Sequence, residues 1–145
     1  MSAASNFLEG RVLDYWLKNN SLSSTSPSTV YVGLFTSDPS LGSTDENLEA
    51  GVLTNECTGG AYTRKSASFG SITNGSVSTD ATITFPTASD NNWGTITHVA
   101  ILDADQTDSA GQGNVLWYGR LDVAKLIESG DTFQITASSL TVTLA

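Results

Sequence analysis

Apolar residues near the start of the chain recur at three- and four-residue spacing, and from residue 29 onward they recur at every second position. Phe7, Leu8, Val12, Tyr15 and Trp16 share a broad face if residues 6–19 form a helix. Asn6 is placed to cap it, Glu9 three residues later completes a capping-box-like pattern, and Asn19–Asn20 ends it. The face carrying Phe7, Leu8, Val12 and Trp16 is predicted to be buried. The polar SLSSTSPS that follows has no period and reads as a connector.

In TVYVGLFT, residues 29–36, Val30, Val32 and Leu34 alternate with Tyr31, Gly33 and Phe35. Both sets are apolar, which predicts a central strand covered on two sides, with the helix as the candidate cover for one. Residues 37–60 then lose all periodicity. They hold Pro39 and the acids Asp38, Asp45, Glu46, Glu49 and Glu56, without a lysine or arginine. A segment of that length without regular structure is a solvated loop or a contact arm ordered by a neighbouring subunit. Strand patterns return at 61–69, 81–87, 95–104, 114–122, 131–137 and 140–145, separated by turn signals at Asn74–Gly75, Asn91–Asn92, Gly111–Gly113 and Ser129–Gly130–Asp131. In the last of these, Leu140, Val142 and Leu144 are expected to point inward.

Strand signals spaced this way without helical inserts predict a mainly β fold: an antiparallel β-sandwich, jelly-roll-like, with one N-terminal amphipathic helix. A single domain, 1–145, accounts for the chain, with the helix at 6–19 and the sandwich at 29–145. The low charged fraction, 14%, argues against disorder from charge repulsion.

Charge narrows the partners. Fifteen acidic against six basic residues give a net charge of −9, and the basic ones are scattered. Nucleic acid and anionic membranes are therefore poor partners. No stretch has the roughly 20 apolar residues needed to span a bilayer. The start MSAASNFLEG lacks the basic and apolar regions of a Sec signal, so synthesis in a cytosol, without export by that signal, is expected.

Chemistry finds little to work with. His98 and Cys57 are each the one residue of their type, and no Gly-x-Ser-x-Gly elbow accompanies them. Asp103, Asp105 and Asp108 begin like a calcium loop, but Asp108 stands where glycine is needed and Asn114 where a bidentate glutamate belongs. No phosphate-binding loop is present. The expectation is a non-enzymatic protein without metal or cofactor.

Three segments in order, NFLEGRVLDYWL, TVYVGLFTSDPS, and FPTASDNNWGTITHVAILDA with the downstream NVLWYGRLD, resemble small tailed-bacteriophage virion structural proteins of the tail-fibre and capsid-decoration kind. That resemblance implies a virion component with no catalytic residues to carry over. It points to the major capsid protein or other virion proteins as partners, and to a homo-oligomer, a trimer being the expectation. The lack of a long repetitive shaft favours a cement protein on the capsid surface; the alternatives are a tail or tail-fibre component, or a lectin-like module with an exposed Trp93 as its anchor. The candidate assembly contacts are Phe7, Leu8, Val12 and Trp16 on the helix and Asp45, Glu46 and Glu49 in the acidic segment.

Overall fold

The structure is a computed structural model and describes residues 2–19, 26–39, 53, 55–105 and 113–144. Its elements are β1 (Ser2–Ala4), α1 (Asn6–Leu17), β2 (Val30–Phe35), β3 (Lys65–Ala67), β4 (Ser76–Ser78), β5 (Ile83–Thr87), β6 (Gly94–Leu102), β7 (Val115–Ile127), β8 (Thr132–Ile135) and β9 (Thr141–Thr143). The fold is mainly β and antiparallel, as the alternating pattern predicts. One five-stranded sheet has the order β1-β7-β6-β2-β3, and β4 pairs with β9 and β5 with β8 in two smaller sheets.

The main core lies between these layers. Val32, Leu34, Val99, Ile101 and Leu116 from the large sheet pack with Ile83, Phe85, Phe133, Ile135 and Val142 from the small ones. Phe85 stacks parallel to Tyr62 and meets Phe133 edge-on. Side chains alternate across a strand, so Gly33 and Phe35 face the other way. There a second cluster forms from Phe35, Leu53, Ala100, Leu102 and Val115.

β2 is thus internal and covered on both faces, and Phe7 and Leu8 of the helix pack against the core cluster that holds Val32 and Leu34. The helix packs against β7, and the Gly33–Phe35 face is covered by the returning end of the acidic segment. Residues 55–57 extend the sheet edge that β3 leaves: Thr36 N–H donates to the Asn55 carbonyl at 3.0 Å and Cys57 N–H to the Leu34 carbonyl at 2.8 Å. Part of the region read as an aperiodic loop is therefore a strand-like edge.

Several boundaries differ from the sequence pattern for local reasons. The helix is capped by Ser5 rather than Asn6: the Leu8 N–H donates to Ser5 Oγ at 3.3 Å, and that hydroxyl donates in turn to the Val115 carbonyl. This shift moves Glu9 past the capping-box position. Residues 61–64 are not strand, because Ala61 adopts a left-handed conformation (φ 62°) that turns Tyr62 into the core. The Asn74–Gly75 signal does form a two-residue hairpin. Both residues have positive φ and Thr73 and Ser76 exchange backbone bonds, the geometry for which Asn-Gly is favoured. It leads into β4, a strand that the pattern did not predict. At the far end Val142 is buried but Leu144 is exposed, so the inward alternation stops with β9.

Candidate assembly surface

Among the described residues, α1 carries more exposed large apolar side chains than any other element. The helix packs half-buried Phe7 and Leu8 against the core, with Arg11 stacked over the Phe7 ring at 5.1 Å. Val12 is 42% exposed, Leu13 53%, Trp16 75% and Leu17 77%. The expectation that Phe7, Leu8, Val12 and Trp16 bury one face together fails at its second half. At about 100° per residue, Val12 and Trp16 lie roughly a quarter-turn or more from the line through Phe7 and Leu8 that meets β7. Leu13 and Leu17, absent from the sequence-predicted contacts, share the outward side. Asp45, Glu46 and Glu49 lie outside the described residues.

On the opposite side of the sheet, a buried polar cluster holds the acidic segment's end. Arg64 Nε donates to Glu56 Oε1 at 2.7 Å and Nη2 to Oε2 at 2.7 Å, a bidentate pair; Nη1 donates to the Ala104 carbonyl at 2.8 Å. The Tyr62 hydroxyl donates to Glu56 Oε1 at 3.0 Å and accepts the Leu34 N–H at 2.8 Å. That N–H faces the gap between β3 and residues 55–57, so the phenol supplies the acceptor that a neighbouring strand would have given. Burial, then the Glu56 charge, pushes the Tyr62 phenol far above its ordinary pKa, which keeps it a donor. Gly33 makes room for the carboxylate: a Cβ there would stand 3.0 Å from Glu56 Oε1 and 3.1 Å from Leu102 Cδ1. Burial also raises the Cys57 thiol, so the thiolate needed for nucleophilic chemistry is disfavoured.

His98 sits on the same face as Phe35, paired in register with Arg120. Its Nδ1 is 2.8 Å from Thr97 Oγ1 and its Nε2 is 3.9 Å from Asp38 Oδ2. Burial holds its pKa below the ordinary value; Asp38 opposes that and Arg120 adds to it. Asp103 ties the base of the β6–β7 hairpin, accepting from the Asn114 backbone at 2.6 Å and from its amide at 2.8 Å. Among the described residues no three metal-ligating side chains gather.

Trp93 is not an exposed anchor. It is 4% exposed, its indole N–H donates to the Gly60 carbonyl at 2.8 Å, and its ring meets Tyr62 edge-on at 5.4 Å. The DNNWG turn therefore folds its aromatic inward, which removes the feature on which a lectin-like reading stood.

A groove of about 540 Å³ opens between β7 and the β8–β9 region. Buried Ile101, Phe133 and Val142 line it, and exposed Arg120 and Lys125 stand beside them. Here β7 departs from its partner: between the register pairs Ile96–Lys125 and His98–Arg120, residues 121–124 stand against Thr97 alone. The bulge leaves Val123 exposed.

The molecule thus combines an interior closed by aromatic packing with an apolar helix face turned to solvent. A comparison with curated proteins gives no match. A family model described as podophage GP4 fiber I protein gp80 matches residues 3–143, from β1 through β9. The match spans both the sheet core and the outward helix, and the chain belongs to this podophage fibre family of virion structural proteins.

Proposed function

We propose that the protein is a non-catalytic structural subunit of a phage tail fibre, assembled with further copies of itself or with other virion proteins. The family match over residues 3–143 carries this reading, since the family is one of fibre proteins. It favours the tail over the capsid surface that the missing shaft suggested. A fibre need not be one long chain, because compact domains also extend by stacking through repeated contacts. The acidic surface keeps such a subunit soluble before assembly and away from nucleic acid.

Cryo-EM of particles made with and without this protein tests the placement. Density lost from the tail supports a fibre subunit; density lost from the head instead would establish decoration and overturn the proposal. Turnover of glycan, ester or peptide that disappears with His98→Ala would refute the non-catalytic part.

A further inference from the structure

The outward face of α1 has the layout of a helix–helix seam. Val12 and Trp16 form one four-residue row and Leu13 and Leu17 the next, the spacing by which helices bury side chains against each other. This face points away from the side that carries Phe7 and Leu8 into the core, so the helix has apolar side chains on two sides. A helix needs one such side to dock on its own domain.

We propose that this second side is a self-association surface, covered by the same helix of a second copy across a two-fold axis. Three observations select that occupant. The first is area: at the exposures found, the four side chains leave roughly 500 Å² of apolar surface in water, taking fully exposed side chains at about 150–250 Å². Two such faces together reach the roughly 1,000 Å² at which an interface becomes specific. The second is charge. Glu9 is the one ionisable side chain on this side and stands at its N-terminal end, while Asp14 and Lys18 pair with each other at 2.8 Å. An antiparallel two-fold arrangement sets the two Glu9 carboxylates at opposite ends of the seam, where a parallel one would stack them. The third is shape: the same arrangement lays the small Val12 of one copy against the large Trp16 of the other. Tyr15 packs edge-on against Trp16 at 5.4 Å, which restrains the indole before contact.

An interface at this lower limit of size is weak alone and gains strength where many copies are held together, as in a fibre. The inference rests on the fibre reading for that consequence, but its test needs no particle.

Sedimentation equilibrium of the full chain reads it directly. The wild-type protein is expected to rise, with concentration through the micromolar range, from the mass of one 15.2 kDa chain to that of two. The double variant Trp16→Glu/Leu17→Lys changes exposed positions and keeps the net charge. It is expected to stay at one chain mass with an unaltered circular dichroism spectrum, whereas Val123→Glu, in the β7 bulge, is expected to associate like the wild type. A wild-type protein that remains a single chain throughout overturns the proposal. So does a folded double variant that associates unchanged, or loss of association on Val123→Glu alone. Failure here would leave tail density on the particle untouched, and density over the head would leave the solution result untouched.

Discussion

Replacing Glu56 by glutamine should be among the most damaging single substitutions in this protein, because it removes the carboxylate charge that a buried guanidinium grips at two points. The Arg64 side chain has no solvent exposure and that of Glu56 has 5%, and their two contacts are both 2.7 Å. Removing one partner of such a pair typically costs about 3–5 kcal/mol, because the remaining charge loses its compensation without regaining water. Glutamine keeps one acceptor but turns an NH2 group toward a guanidinium that can only donate, so the expected loss is about 3 kcal/mol or more. Against a typical total of about 5–15 kcal/mol, that is a large fraction of the stability.

Urea unfolding of wild type and Glu56→Gln measures this, with the midpoint expected to fall by about 1–2 M at unchanged slope. The same loss should lower the melting temperature by roughly 10 °C. High salt should leave the difference in place, since buried pairs are screened far less than exposed ones. The pair Glu56→Leu/Arg64→Met should recover part of the loss, because it removes both charges together. It would still cost about 1–3 kcal/mol where the Tyr62 hydroxyl and the Ala104 carbonyl lose partners. A Glu56→Gln protein within about 1 kcal/mol of wild type, or a deficit that vanishes in high salt, would refute the reasoning.

Gly33→Val should destabilise by about 1–3 kcal/mol, as its side chain meets the Glu56 carboxylate and Leu102 at near-contact distance; chemical denaturation reads it, and a neutral result would mean the carboxylate lies elsewhere. The pH dependence of stability should carry a His98 signature. Its folded pKa is lowered, first by burial, so the unfolded state binds its proton more readily; stability is fully present above the unfolded value of about 6.5 and is lost as pH falls through the lower folded one. The melting temperature of His98→Gln should therefore fall less than that of wild type between neutral and mildly acidic pH, and parallel curves would contradict this. Asp38→Asn should enlarge the wild-type loss, because the Asp38 charge is what opposes the lowering.

What could be read from the sequence followed how far each feature is set by its own neighbours. Alternation in TVYVGLFT placed Val32 and Leu34 on one face and Gly33 and Phe35 on the other, because both faces of that strand are buried and the pattern has nothing to blur it. The strands Ser2–Ala4 and Ser76–Ser78 are three residues long, too short for a period, and are held by partners more than sixty residues away. The Glu56–Arg64 pair joins a segment without pattern to the approach of a short strand, and no local rule brings them together. A glycine inside an otherwise apolar strand was the available signal, since it marks where another group comes close.

The helix shows the same point with the opposite sign. Reading Val12 and Trp16 with Phe7 and Leu8 required one broad apolar face, and that accommodated the outward residues only by leaving out Leu13 and Leu17. With all of them included, apolar residues extend around most of the helix, a distribution that one docking surface cannot bury. The helix packs on its own domain by Phe7 and Leu8 and still turns Val12, Leu13, Trp16 and Leu17 to solvent, the arrangement on which the proposed self-association rests. For a subunit of a fibre family, that contact is sought most directly between copies, and the Trp16→Glu/Leu17→Lys protein separates it from the stability of the fold. If its unfolding midpoint matches wild type while its sedimentation does not, the outward residues act in assembly alone, and the sheet core, with its buried Glu56–Arg64 pair, carries the fold without them.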